Sequence, residues 1–310
     1  MRQGTILKYT VRTADGRRLS TQSSGDPDGR PVFVLHGTPG SRLGPHPRSA
    51  VLHRLGVRLI SFDRPGYGGS DRLAGRQVAD VAEDVLAIAD AYGLKKFAVV
   101  GRSGGGPHAL ACAALLPERT TRAAVLVGIA PHGADGLDWF DGMAHSNVME
   151  FTAAANGYEN IVAHTKAVAE EVRANPASLL ARLQTELPDS DRRVVADHGI
   201  RSMLIETYAE ALRASDYGWI DDALAFCSPW GFDPATVRVP VLLWHGASDV
   251  FSPASHARWL ADRIPSAAVV VQAGAAHFGA LDVLPDILRW LSAGRPDASG
   301  AGDRGFPGRG

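Results

Sequence analysis

The feature that most restricts this chain is a short turn, Gly101-Arg-Ser-Gly-Gly105, set between an apolar run and a helical pattern. Phe97-Ala-Val-Val-Gly101 reads as a strand buried on both faces. Gly105 to Leu116 is rich in Ala and Leu and stops before Pro117, so it reads as a helix. A backbone that turns from strand to helix so sharply crowds its neighbours, and glycines on either side of the serine relieve the crowding. Ser103 is then held at an exposed tip with a helix N-terminus behind it, where a developing negative charge is favoured. G-x-S-x-G in a strand–turn–helix context is the pattern of a nucleophile elbow.

Other apolar runs extend the same architecture. Pro31–Leu35, Val57–Phe62, Ala123–Val127, Val239–His245 and Ala267–Gln272 read as buried strands. Residues 5–24 alternate apolar and polar side chains around Asp15-Gly16, a hairpin signal. Gln77 to Tyr92 and Ser252 to Ile264 carry helical patterns. Strands alternating with helices predict an α/β fold with a mainly parallel central sheet flanked by helices. From 131 to 237 no buried-strand run occurs. Helices are expected there around 139–155, 158–174, 176–187, 189–213 and 219–227, as an inserted helical cap. The core is then 1–130 and 238–293. Residues 294–310, rich in glycine and without apolar period, are expected to be a disordered tail.

Composition excludes several functions. Of 310 residues 45% are apolar and 21% charged, and the net charge is −1. With basic residues scattered, nothing attracts nucleic acid or an anionic membrane surface. Two cysteines, Cys112 and Cys227, are too few for a disulfide framework. Neither a signal-peptide pattern nor a long apolar span is evident, which predicts a cytoplasmic protein. The oligomeric state is left open.

A serine hydroxyl needs a base to take its proton, and the base needs an acid to orient it. Asp249 follows the run ending at His245, and His277 follows the run ending at Gln272. Both fall at strand ends on the edge where parallel sheets build their sites. Ser103, Asp249 and His277 are the expected nucleophile, acid and base. The expected oxyanion donors are the backbone N–H groups of Gly104 and of Thr38, with the Thr38 hydroxyl as a possible aid. His36 is expected to hydrogen-bond within its own loop. Gly104-Gly-Gly-Pro-His-Ala109 formally fits a dinucleotide fingerprint, but the next strand ends without the carboxylate that a ribose requires. Neither cofactor nor metal is expected.

With these residues the chain resembles the α/β-hydrolase family over roughly 5–293. The family's His-Gly-x-Pro-Gly loop is matched by His36 to Gly40, and its Asp-x-Pro-Gly-x-Gly-x-Ser loop by Asp63 to Ser70. The resemblance implies a serine hydrolase acting on an ester, lactone or related acyl bond of a small, largely apolar molecule. It discriminates substrates poorly, because one constellation serves many acyl and related hydrolases. A proline-iminopeptidase-like aminopeptidase is the alternative, because such relatives hold a substrate amine with cap carboxylates. Here the candidates are Glu206, Glu210, Asp216, Asp221 and Asp222. The Gly-Thr-Pro loop and the Arg-Ser-Gly elbow depart from the iminopeptidase pattern. A ligand-binding or isomerising member of the fold is the other alternative. Trp139, Phe140, Trp219 and Phe278 are the expected pocket residues.

Overall fold

The computed structural model describes residues 7–293. The tail expected at 294–310 lies outside them. Eight strands form one sheet: β1 (Leu7–Arg12), β2 (Arg18–Gly25), β3 (Arg30–Leu35), β4 (Val57–Phe62), β5 (Phe97–Arg102), β6 (Thr120–Leu126), β7 (Val241–Gly246) and β8 (Ala267–Gln272). Their order is β1-β2-β4-β3-β5-β6-β7-β8. β2 runs antiparallel to β1 and β4, and every pairing from β4 to β8 is parallel. The β1–β2 hairpin turns at Asp15-Gly16, where Gly16 has φ of 88°.

Helices cover both faces of the sheet. Between β3 and β4 comes α1 (Ser49–Arg54), between β4 and β5 α2 (Val81–Ala91), and between β5 and β6 α3 (Gly105–Leu115). Six more helices separate β6 from β7: α4 (His145–Ala155), α5 (Tyr158–Ala174), α6 (Ala177–Leu183), α7 (Asp189–Ala196), α8 (His198–Ala211) and α9 (Tyr217–Cys227). Then α10 (Ala254–Arg263) and α11 (Ala280–Ser292) flank β8. The two-residue period of a strand sends neighbours to opposite faces. Phe33 and Ile60 join a core with α2, α3 and α10, while Val32 and Leu59 join one with α1 and α11. Full burial contributes roughly 1.5–3 kcal/mol for each large side chain such as Phe33 or Trp244.

Five expectations change. The helix predicted over 189–213 breaks in two at Asp197, whose ψ of 125° leaves the helix and whose carboxylate accepts the Ile200 N–H at 2.9 Å. The helix expected from 139 starts at His145, and the one expected to reach 187 stops at Leu183. β8 is an edge strand rather than a buried one, with Val269 40% exposed. Finally, α1 and α11 are additional helices. Six residues are too few to show a period in α1, and Pro285 interrupts the signal in α11.

Candidate active site

β5 ends at Arg102 and α3 begins at Gly105, so only two residues make the turn. Ser103 takes φ of 54°, a region that L-residues seldom occupy. Space dictates the glycines. A Cβ on Gly101 would stand 2.0 Å from the Gly105 carbonyl oxygen, and one on Gly105 would stand 2.1 Å from that of Leu35. The Ser103 N–H donates to the Leu126 carbonyl and its own carbonyl accepts from the Gly106 N–H, both at 2.8 Å. These bonds hold the strained residue between two strands and a helix.

β7 and β8 bring the other two residues together. Asp249 and His277 lie 28 positions apart, yet the His277 Nδ1–H donates to Asp249 Oδ2 at 2.9 Å. Asp249 Oδ1 accepts the N–H groups of Phe251 at 2.9 Å and Ser252 at 3.1 Å. His245 Nε2 stands 3.3 Å from Asp249 Oδ2. Burial alone would raise the Asp249 carboxyl. The charge of His277 and the hydrogen bonds from His245 and His277 instead hold it well below the usual carboxylate range. With Nδ1 bonded to the acid, Nε2 is the ring nitrogen left for a proton from a nucleophile.

Sequence reading missed two supports of this pair. Ser252 Oγ donates to the Val127 carbonyl at 2.7 Å and stands 3.3 Å from Asp249 Oδ2. Val127 has φ of 48°, a costly conformation for a β-branched residue, and the Trp244 carbonyl accepts its N–H at 2.9 Å. The second support is Asp191 of α7, which accepts the Phe278 N–H at 2.8 Å. The helical insert thereby grips the loop that carries His277. Asp191 and the Val127 anchor of Ser252 have partners 87 and 125 positions away along the chain, which no sequence pattern marks.

The oxyanion candidates lie against each other. A Cβ on Gly104 would stand 2.3 Å from Thr38 Oγ1. Among the described residues no group engages the N–H of Thr38 or of Gly104. The Thr38 hydroxyl, by contrast, is committed: it donates to Asp222 Oδ2 at 2.6 Å and accepts from Arg64 Nη2 at 3.1 Å. It has no proton to offer an oxyanion. His36 accepts the Arg64 N–H at Nε2 (3.1 Å), which leaves Nδ1 to donate to the Gly37 carbonyl at 2.8 Å. Burial and the Arg64 charge keep its ring neutral.

A cavity of about 480 Å³ opens over Ser103, with Thr38, His277, Trp219 and Phe278 in its wall. Trp139 and Phe140 are not in that wall. The Trp139 indole N–H donates to the Ala130 carbonyl at 2.9 Å, and its ring meets Phe151 at 4.8 Å and His256 at 5.1 Å. Phe140 packs on Trp139 at 5.2 Å. This pair seats the insert on the core, as buried aromatics do wherever a partner face is available. The cap acids named above also have other partners. Glu206 is exposed and takes the Ser202 hydroxyl, Glu210 pairs with Arg42, and Asp221 with Arg72. Asp216 stands 3.4 Å from the Thr165 hydroxyl, and Asp222 is buried among arginines. The carboxyls that do face the cavity are Glu150 and Glu186. Glu150 accepts the Trp219 indole N–H at 2.9 Å, and burial pushes it up to about 7.

Comparison with known proteins agrees with this architecture. The family model described as alpha/beta hydrolase fold matches residues 30–282. A proline iminopeptidase of Xylella fastidiosa (strain 9a5c) is 35% identical over 137 residues, 42% of this chain and 43% of that protein. The match therefore spans less than half the length of that relative. An alpha/beta hydrolase fold protein from Nakamurella multipartita superposes with a TM-score of 0.68 at 22% identity, covering 93% of this chain and all of that one (100%). An esterase from Rhodococcus sp. ECU1013 gives 0.62 at 21%, covering 92% and 96%. Among the described residues no helix is long and apolar enough to cross a membrane. With the sheet order, the strained serine turn and a family match across most of its length, the chain belongs to the α/β-hydrolase fold family.

Proposed function

We propose that this protein is a serine hydrolase that cleaves an ester, lactone or related acyl bond of a small, largely apolar molecule. The observation that carries the reading is the convergence on one cavity of a strained serine and a histidine whose far nitrogen is bound to a buried carboxylate. Ser103 Oγ attacks the acyl carbon while His277 Nε2 takes its proton. The tetrahedral oxyanion lies against the N–H groups of Thr38 and Gly104. As the bond to the leaving oxygen breaks, His277 returns the proton to that oxygen. Water, deprotonated by His277, then releases the acid from Ser103. Asp249 stays ionised and keeps His277 in the tautomer the cycle needs. Residues 131–237 act as a cap that selects substrate through Trp219 rather than Trp139 and Phe140, with Phe278 of the His277 loop completing the apolar wall.

Labelling by a fluorophosphonate probe tests the nucleophile. Wild type should be labelled and should turn over p-nitrophenyl esters, and Ser103→Ala should do neither. Labelling that survives in Ser103→Ala would overturn the assignment. One observation favours the aminopeptidase alternative: Glu150 and Glu186 place carboxyls in the cavity. Glu150→Gln should then cost far more on an amino-acyl p-nitroanilide with a free amine than on a neutral ester, since an enclosed ammonium needs a paired carboxylate.

A further inference from the structure

Arg102 closes β5 immediately before the nucleophile and lines the same cavity as Ser103 and His277, as well as a smaller pocket beside Gly37 and Ser41. The guanidinium carbon is 5.7 Å from the centre of the Phe278 ring. Nη2 lies 3.6 Å from where a Cβ on Gly37 would be. The group therefore sits between the Thr38 loop and the His277 loop.

Its company is unusual for this molecule. Arg42 pairs with Asp63 and Glu210, Arg72 with Asp221, and Arg64 and Arg76 with Asp222. Among the described residues Arg102 pairs with no carboxylate, and its Nη1 is buried without a hydrogen-bond partner. The charges of Asp191 and Asp249 reach it and favour its ionised form, as does the neighbouring phenol of Tyr208. Asp249 is engaged by His277, and Asp191 Oδ1 by the Phe278 N–H; Asp191 Oδ2 is itself buried without a hydrogen-bond partner, and among the described residues neither carboxylate forms an ion pair with Arg102. Burial consequently lowers the Arg102 pKa. Burial opposes ionisation of Arg42 and Arg76 too, but their carboxylates more than offset it.

An enclosed guanidinium without a counter-ion is unfavourable, and its planar fork of donors matches a carboxylate in two parallel hydrogen bonds. Arg182, also in the cavity wall, is paired with Glu171. A single unpaired cation suits a monoanion better than a phosphate dianion. Arg102 and Ser103 are consecutive, with Cα atoms about 3.8 Å apart. Both line one cavity of about 480 Å³, so an anion on one and a reacting carbonyl at the other fit within one small molecule.

We propose that Arg102 is the anion-recognising group of the cavity and that the substrate is an ester or lactone carrying a free carboxylate a few atoms from the acyl carbon. This rests on the serine-hydrolase reading and narrows its substrate class.

The test compares two p-nitrophenyl esters of similar length, the butyrate and the hemiglutarate. Wild type should prefer the hemiglutarate. Arg102→Gln should lower the hemiglutarate-to-butyrate ratio of kcat/KM by about 10- to 100-fold, chiefly through KM, the loss expected of a charge-assisted hydrogen bond. An unchanged ratio overturns the proposal. Should the variant fail to fold, wild type decides alone. Free glutarate should compete with butyrate hydrolysis more strongly than glutaramide does, and equal inhibition by the two overturns the proposal. If the fluorophosphonate leaves Ser103 unlabelled and neither ester turns over, the hydrolase reading has failed. Calorimetric titration of glutarate into wild type and Arg102→Gln then settles the subsite: binding to wild type only supports it, and binding to neither overturns it.

Discussion

Asp249 and Asp222 both have side chains with no exposure to solvent, and they keep different company. Asp249 is surrounded by two histidines, a serine and backbone N–H groups. Asp222, on α9, receives Arg64, Arg76, the Tyr67 hydroxyl at 2.8 Å, the Thr38 hydroxyl, and His108 Nε2 at 3.3 Å. Burial opposes ionisation in both cases, and in both the partners win. The difference lies in what those partners can do. The guanidiniums at Asp222 do not give up a proton, and burial and the Arg64 charge hold its imidazole partner, His108, down to about 4, whereas His277 at Asp249 faces the cavity with Nε2 left for a proton. One buried carboxylate can therefore hold a base that works, while the other can only hold structure. Its structure reaches the first site nonetheless. Asp222 ties the insert to Thr38, whose N–H is the proposed oxyanion donor, and to His108 on the helix that follows Ser103.

The largest effect expected from this contrast is on turnover. Asp249→Asn should lower kcat on a p-nitrophenyl ester roughly 10³-fold or more while the folded state persists, because the amide no longer stabilises the tautomer and charge that His277 needs. Near-normal turnover in that variant would remove Asp249 from the proposed mechanism.

Asp222→Asn should do the reverse in emphasis. Removing the anion leaves Arg64 and Arg76 buried without a counter-charge, a change that costs about 3–5 kcal/mol in comparable cases. Urea unfolding should show that loss. Turnover should fall too, but in kcat rather than KM, as the Thr38 loop loosens. A variant as stable as wild type would mean that the arginines find other partners.

A smaller effect separates the two kinds of aromatic in the insert. Trp219→Ala should change relative kcat/KM between short and long acyl chains by about 1–3 kcal/mol, because that ring lines the cavity. Trp139→Ala should lower the melting temperature and leave the relative selectivity where it was. Equal selectivity changes in both would erase the distinction between footing and pocket.

The smallest expected effect is the pH dependence of stability at Glu150. Burial lifts its carboxyl from 4.5 to about 7. Between those values the folded state keeps a proton that the unfolded chain has released, so this group makes stability rise as pH falls from about 7 towards 4.5. Glu150→Gln removes that titration. The melting temperature of the variant relative to wild type should therefore be higher at pH 8 than at pH 5, and a constant difference would count against the shifted carboxyl. Asp249 has the opposite sign. Its lowered value gives stability that is present above the unfolded carboxyl range and lost only as pH falls through the folded one.

Some of this is legible in the amino-acid sequence alone. The strand runs, the hairpin at Asp15-Gly16, the helix over 158–174 and the serine turn are local matters, decided by periods of two and 3.6 residues and by backbone crowding around Gly101 and Gly105. Ser103, Asp249 and His277 could be named because a parallel sheet brings the ends of its strands to one edge, so strand position stands in for spatial position. Tertiary structure alone decided which helical-insert side chains face the cavity. Trp139 and Trp219 are the same residue type in the same insert, and only packing against His256 or beside Glu150 separates them. The same holds for the acids. Asp222 and Glu150 look alike in sequence, yet long-range contacts bury one among arginines and leave the other at the cavity beside Trp219, its carboxyl raised by burial. Charge and hydrogen bonding act through space, across separations such as the 184 positions between Thr38 and Asp222, and sequence order does not encode such distances.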